Sequence, residues 1–351
     1  MQNYILILLE AGFESLLEYI SAHVLFCLVP AFFIAGALSG LIPKEIIVKY
    51  LGRRTNKIIS YTVASISGLL IAVCSCTILP LFAGIRKRGA GLGPAITFLF
   101  VGPSINILAI TLTGTMIGWD IAISRLILAI IFGVIIGLIM AFFFRKGEEQ
   151  LGEENLNLKS KNLPPRILTF IITLVLILLV GTAKIPAQLK YILISILTFT
   201  LIMIVIFLLK REEAIAWLKE TYFFTKSIIP LLLIGVFLSG IATKIIPKEL
   251  VSNLAGKNNL LSNFGGVLFG IFVYFPTLIE VPVAQTFLKL GMAKGPLIAY
   301  LLADPELSIQ SILVTSRIIG KKKVAIYVIL VAIFCTIAGL IYGFFTSIKF
   351  S

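Results

Sequence analysis

Charged side chains are scarce in this sequence. Only 13% of the 351 residues are charged, whereas 59% are hydrophobic and the mean hydropathy is +1.09. Soluble domains carry roughly 25% charged residues, so a chain this poor in charge has no room for a sizeable soluble domain. Apolar runs recur from one end to the other. We therefore expect most of the chain to lie in a lipid bilayer.

The apolar runs also lack the alternation of polar and apolar residues that marks membrane strands. The run from Ile121 to Phe144 does not alternate, and it exceeds the roughly 20 residues with which a helix crosses a bilayer. Backbone polar groups in lipid must be satisfied by helices or by a closed barrel. The sequence therefore predicts an all-α, polytopic transmembrane helical bundle.

Histidine and cysteine are few, and the usual nucleotide and metalloprotease motifs are missing. The chain has one histidine and four cysteines, and the cysteines all lie in apolar stretches, at Cys27, Cys74, Cys76 and Cys335. No P-loop and no H-E-x-x-H pattern occurs. These absences argue against ATP-driven transport and against an intramembrane enzyme, and no cofactor is expected. A membrane scaffold without transport activity is the other disfavoured alternative.

About ten spans are predicted, in a multi-pass protein of the cell membrane. They cover residues 20–42, 58–86, 94–118, 120–144, 166–183, 187–209, 227–246, 264–288, 296–318 and 323–346. Segments 4–19 and 212–225 are predicted to be interfacial amphipathic helices. The net charge of +14 comes from Lys and Arg in short loops, which favours contact with anionic lipid headgroups over nucleic acid.

The two ends of the chain repeat each other. The sequence LIPKEIIVKYLG at 41–52 returns as IIPKELVSNLAG at 245–256, and four positions match at an offset of 202: Pro80, Gly89, Pro94 and Pro103 match Pro282, Gly291, Pro296 and Pro305. We predict a first repeat over 1–144, a polar linker over 145–165, two connecting spans over 166–211 and a second repeat over 212–351. The sequence leaves open whether the repeats are parallel or inverted.

The matched prolines predict broken helices. Proline removes a helix N–H and leaves a carbonyl without its partner, and transporters often bind their substrate at such breaks in corresponding positions of two repeats. The first-half breaks place several small polar or thiol groups near the prolines. The substrate-binding candidates there are Cys74, Ser75, Cys76, Pro80, Pro103, Ser104 and Asn106. Cys74 and Cys76 are also candidate ligands for a soft metal or metalloid, the alternative being that they only pack.

The second-half breaks carry carboxylates instead of thiols. The candidates there are Glu280, Pro282, Asp304, Pro305, Glu306 and Ser308. Acidic groups at membrane depth are costly and indicate ion binding or proton transfer. The alternative is that Asp304 and Glu306 lie at a span end in headgroup water. Glu280 lies deeper in apolar sequence, so a functional role is favoured there.

The first-half motif resembles the ArsP-like family of predicted permeases. The pattern is V-C-S-C-x3-P, then R-K-R-G-A, G-P-A-I-T-F and G-P-S-I-N, between Val73 and Asn106. The resemblance implies a permease, since some members of the family are linked to efflux of trivalent arsenicals and others to efflux of divalent or soft metals. It places Cys74, Cys76, Pro80, Pro103 and Asn106 at motif positions. The second-half tip departs from the pattern, because Asp304-Pro305-Glu306 stands where many relatives have small residues.

Together these features predict a secondary efflux transporter for a soft metal, a metalloid or an organoarsenical, without enzymatic activity. The expected partners are a small-molecule or ion substrate and the lipid bilayer, and the oligomeric state is left open. A carrier of another small solute, with structural cysteines, is the alternative within transport. The departure at Asp304 and Glu306 favours a cationic substrate.

Overall fold

A computed structural model describes most of the chain. The described residues are 2–20, 29–42, 44–53, 55–70, 75–105, 107–145, 164–182, 186–245, 255–272, 275 and 277–348. Throughout these ranges the regular structure is helical. The all-α prediction is therefore confirmed. The predicted linker over 145–165 lies almost wholly outside the described residues.

The first part of the chain forms eight described helices. They are α1 (Gln2–Tyr19), α2 (Val29–Gly40), α3 (Lys44–Leu51), α4 (Lys57–Leu70), α5 (Ser75–Lys87), α6 (Leu92–Ser104), α7 (Ile107–Met116) and α8 (Trp119–Phe143). The rest forms α9 (Pro165–Thr182), α10 (Ala187–Phe207), α11 (Arg211–Ile245), α12 (Leu260–Phe272), α13 (Thr277–Lys289), α14 (Lys294–Leu307), α15 (Ile309–Ile319) and α16 (Lys321–Ile348).

Only some of these helices are long enough to cross a bilayer alone. By length and hydropathy, three described helices qualify, namely α8, α10 and α16. Two bent pairs, α6 with α7 and α14 with α15, bring the number to five if each pair is one span. The described helices thus support a membrane protein with three to five candidate spans, and the count of ten stays a prediction.

The predicted separation between an amphipathic helix at 212–225 and a span at 227–246 is wrong. A single helix, α11, covers both segments and continues through Pro230. No glycine interrupts residues 211–234, so nothing but one exposed proline opposes helix continuity there. The helix α1 packs along α11, where the Phe13 and Phe237 rings meet at 5.3 Å.

Two sets of helices have corresponding bounds at the offset of 202. The helices α5 to α8 begin at residues 75, 92, 107 and 119, and α13 to α16 begin at 277, 294, 309 and 321. The turns that precede α6 and α14 correspond as well. Gly89 and Gly291 both have φ of +95°, a conformation that side chains other than glycine rarely adopt. Each turn folds two 13- or 14-residue helices into a hairpin.

The helices α6 and α14 form the centre of the molecule. Every residue of 92–104 and of 295–307 is buried. The helix α6 packs between α4 and α8, and α14 packs between α12 and α16. The bent parts cross over, because α7 packs on α13 and α15 packs on α5. This arrangement brings the ends of α6 and α14 together in the interior, while α10 exposes Ile192, Phe199 and Phe207 on the outside.

Candidate functional site where two bent helices meet

The two central helices end at their prolines, as predicted for Pro103 and Pro305. The helix α6 ends at Ser104 and α7 begins at Ile107 after a bend of 40°. The helix α14 ends at Leu307, and α15 continues after a bend of 47°. Each proline lies in the last turn before the bend and cannot donate a helical hydrogen bond.

The predicted breaks at Pro80 and Pro282 are not found at the prolines themselves. The helix α5 runs through Pro80 and α13 runs through Pro282. Each proline is five residues from the first helical residue, and its helix continues although proline removes one hydrogen-bond donor there. The interruption in the second half lies before α13, where Phe275 is not helical. Pro80 is buried and Pro282 is half-buried.

A hydrogen bond joins the ends of the two central helices. Ser104 Oγ lies 3.1 Å from Glu306 Oε1, and both side chains are buried. Tyr327 on α16 donates its hydroxyl to Glu306 Oε2 at 2.8 Å. Glu306 is therefore inside the protein rather than at a span end in headgroup water. Its carboxylate is held by two hydroxyl groups, one from each half of the chain.

A buried ion pair lies beside this contact. Arg125 on α8 donates from Nη2 to Glu280 of α13, at 2.9 Å to Oε1 and 3.2 Å to Oε2. The side chains are 0% and 1% exposed. Arg125 Nη1 also approaches the Thr113 hydroxyl at 3.4 Å. A buried pair loses much of its attraction to desolvation, so this bridge between α8 and α13 is evidence of a polar interior.

Asp304 is the least satisfied acidic side chain among the buried residues that the structure describes. It is 0% exposed, and neither carboxylate oxygen has a hydrogen-bond partner of ordinary geometry, although the Phe275 backbone N–H faces it. Tyr300, one turn earlier on α14, is also fully buried, and its hydroxyl has no described partner. Gln310 is buried with both amide atoms unpartnered in the same ranges.

Close helix packing fixes the position of Asp304. A Cβ atom at Gly270 of α12 would lie 3.0 Å from Asp304 Cα and 3.0 Å from its backbone nitrogen. The absence of a side chain at Gly270 therefore lets α12 approach α14 closely. The first half has the same approach between Gly68 and Gly102, with 3.0 Å to the Gly102 nitrogen. At the offset of 202, the residue that corresponds to Asp304 is therefore Gly102.

The structure brings together several of the predicted residues, but not all of them can be placed. Ser104, Glu280, Asp304 and Glu306 converge in the buried interior. Ser308 is the N-cap residue that precedes α15, and its hydroxyl contacts Ser311 at 2.9 Å. Ser75 and Cys76 belong to the first turn of α5, and Cys74 and Asn106 lie outside the described residues. Within the described ranges, no three His, Cys, Asp or Glu side chains form a metal-binding group.

The sequence reasoning missed Arg125 and Tyr327. Arg125 is a single basic residue inside the long apolar run of α8, and charges at such a depth indicate function by default. That signal was present, whereas Tyr327 carries none because tyrosine is common near span ends. Cys335, expected only as an apolar residue, is buried two turns beyond Tyr327 and within electrostatic reach of Glu306.

The buried cluster, which consists of Arg125, Glu280, Asp304 and Glu306, holds more acidic than basic side chains. Its three carboxyl side chains, on α13 and α14, face one guanidinium among the described residues. An ionised carboxylate in an apolar interior is strongly disfavoured unless it is paired. The cluster can therefore hold protons or a cation. A surface groove of about 450 Å³ lies between α4 and α8, and its lining includes Tyr61, Ser65 and Val134 but no residue of the cluster.

The comparisons with known proteins agree with this membrane interior. A family model described as a predicted permease matches residues 10–344. UPF0718 protein MJ0584 of Methanocaldococcus jannaschii is 38% identical over 98% of both chains. UPF0718 protein YraQ of Escherichia coli is 21% identical over 85% of this chain and 71% of its own. No solved structure matches. The chain belongs to the ArsP-like family of predicted permeases.

Proposed function

We propose that this permease is a secondary transporter whose substrate site lies where the bends of α6–α7 and α14–α15 meet. The observation that carries the proposal is the 3.1 Å contact between Ser104 and Glu306. It places an acidic side chain and a hydrogen-bond donor from two bent helices at one buried point. Membrane proteins tolerate broken helices at depth only beside protein or a water-filled cavity.

The mechanism that we propose is alternating access between two repeats. The corresponding bounds of α5–α8 and α13–α16, and the equal φ angles of Gly89 and Gly291, support the repeats 1–144 and 212–351. Their bent helices meet at Ser104 and Glu306, which match each other at the offset of 202. A rocking motion of one repeat against the other would open this point to either side of the membrane.

We propose efflux of a soft metal, a metalloid or an organic arsenical as the first candidate activity. Cys74 and Cys76 would supply thiolates at the start of α5, with Ser75, Ser104 and Asn106 lining the site. Glu280, Asp304 and Glu306 would compensate charge or carry protons. The prolines Pro80, Pro103, Pro282 and Pro305 and the residue Ser308 would shape the site, as their positions near the helix ends suggest.

A carrier of another small cation, with cysteines that only pack, is the second candidate. The described side chains of the cluster favour it, because they offer carboxylates and hydroxyls. Oxygen ligands suit hard cations, whereas thiolates select soft ones. The two candidates differ in whether substitution of the cysteines matters.

The proposal can be tested in a host that lacks its own metal and arsenical efflux systems. Expression of the chain should raise resistance to at least one compound of a panel of arsenicals, soft metals and organic cations. The variant Glu306→Gln should abolish that resistance, since it removes the carboxyl group at the junction. Glu220→Gln, in the first third of α11 and with a side chain that is 21% exposed, is the matched control. Equal resistance in both variants would contradict the site.

The cysteines are tested in the same assay. Cys74→Ser and Cys76→Ser should each lose resistance if the substrate binds to thiolates, whereas Cys27→Ser should keep it. Cys335→Ser is a poorer control than its apolar sequence suggests, because Cys335 lies within electrostatic reach of Glu306. Retained resistance in both first-pair variants would exclude the thiophilic substrates and leave the second candidate.

A further inference from the structure

Two acidic side chains, Glu280 and Asp304, interact with one cationic side chain, Arg125. Arg125 directs its Nη2 to both oxygens of Glu280. Asp304, which interacts electrostatically with this pair, receives no hydrogen bond of ordinary geometry from any described residue. Because an unpaired carboxylate in an apolar interior costs far more than a neutral one, the geometry is that of one ion pair and one carboxylic acid.

Among the described residues, one cation interacts with Asp304. The described titratable or charged side chains that interact with it electrostatically come from α8, α13 and its own helix, and α12 packs Gly270 against its backbone. They are Arg125, Glu280 and Tyr300. In this set only Arg125 carries a positive charge. The hydroxyl of Tyr327 is already used by Glu306 at 2.8 Å.

We propose that Asp304 is the proton-binding site that couples transport, and that Arg125 exchanges between Glu280 and Asp304 during the cycle. This inference rests on the proposed transport function and adds the coupling ion to it. In the present arrangement Arg125 neutralises Glu280 and a proton neutralises Asp304. The second half alone supplies both acids, since the residues that match Asp304 and Glu280 at the offset of 202 are Gly102 and Ile78.

The exchange step conserves charge. When a cargo with one positive charge enters, the Asp304 carboxyl O–H bond breaks, and its proton leaves to water on the side that is open. The cargo and Arg125 then neutralise the two carboxylates. When the cargo leaves on the other side, a proton from water binds Asp304 again. One proton therefore moves against one positive charge, and the cargo class is a monovalent cation or a molecule that carries one cationic group.

The proton can be observed without knowing the substrate. We suggest infrared spectroscopy of the purified full chain in lipid nanodiscs near neutral pH, in the region where protonated carboxyl groups absorb. Exposed carboxylates are ionised there, because their reference pKa values are about 4. Wild-type protein should show a protonated carboxyl band that shifts in deuterated water. Asp304→Asn should lose the intensity of one carboxyl group, and Glu220→Gln should leave the band unchanged.

Arg125 provides the opposite change. Arg125→Met removes the one cation that the described residues place beside Glu280, so Glu280 should also take a proton and the band should gain one carboxyl group. If Arg125→Met does not fold, Glu280→Gln can be measured instead. In Glu280→Gln, Arg125 should pair with Asp304, so the protonated carboxyl band should lose intensity. An unchanged band in Asp304→Asn, or no gain in folded Arg125→Met, would overturn the assignment. Either failure leaves the resistance assay unaffected, so the coupling ion and the transport site are tested separately.

Discussion

Removal of Arg125 tests the energetics of the buried cluster most directly. Arg125 is 0% exposed and Glu280 is 1% exposed. Breaking such a pair by removing one partner typically costs 3–5 kcal/mol, about the cost of leaving a charge buried without compensation. Glu280 can limit the loss by taking a proton. With a reference pKa of about 4.3, that proton costs about 3.7 kcal/mol at pH 7, at 1.36 kcal/mol per unit.

The expected loss for Arg125→Met therefore depends on pH. In this variant folded Glu280 holds a proton that the unfolded chain does not bind above pH of about 4.3. The folded state then binds more protons than the unfolded state, so stability falls as pH rises. The loss relative to wild type should be largest at alkaline pH and should shrink by about 1.36 kcal/mol for each pH unit of acidification.

The measurement is the apparent melting temperature of detergent-purified protein at several pH values and one heating rate, since unfolding of such proteins is often irreversible. The neutral double variant Arg125→Met with Glu280→Leu is the control. Replacing a whole buried pair by apolar residues is often neutral or stabilising, so the double variant should be more stable than the single one. A single-variant loss that is equal at all pH values, or no rescue by the double variant, would refute the reasoning.

Two further predictions concern packing and a peripheral ion pair. Gly270→Ala should destabilise the protein by about 1–3 kcal/mol, because the new Cβ would lie 3.0 Å from the Asp304 backbone. Gly265→Ala, with nothing within 4 Å, should not, and equal losses would contradict the close packing. Burial acts to raise the pKa of Glu220, but the hydrogen bond and charge of Lys87 outweigh it and lower that pKa. Glu220→Gln should therefore cost at most about 1 kcal/mol at neutral pH, and this loss should disappear as pH falls below about 4; a loss that persists in acid would contradict the ion pair.

Hydropathy predicted the class of the fold but not where its helices end. The expected span 94–118 is two helices, α6 and α7, with a bend after Ser104. Apolar composition is continuous across that bend, so a hydropathy average does not detect it. Only the position of Pro103 gave a local signal, since proline lacks the donor that continues a helix. The same proline signal was misleading at Pro80, where the helix continues.

The acidic half of the site could be predicted and its basic partner could not. Glu280, Asp304 and Glu306 stood near prolines that matched across the offset of 202, which made them candidates. Headgroup water was an alternative for Asp304 and Glu306, and the structure buries all three side chains. Arg125 stands 155 positions before Glu280, in a helix without a matched proline. Nothing in the local sequence of α8 specifies which acid it meets. That pairing depends on how α7, α8 and α13 pack, which is a tertiary property.

The corresponding positions of the two halves suggest a division of chemical roles. Under the proposed repeat, the backbone approach of Gly68 to Gly102 is reproduced by Gly270 and Asp304, so a similar scaffold carries an apolar contact in one half and an acid in the other. A second acid at the position of Gly102 would place four carboxylates around Arg125, and their charges would require further compensation. A single acidic half avoids this cost and leaves Ser104 to hold Glu306 as a neutral donor. The asymmetry thus favours one cation site per chain over two equivalent sites.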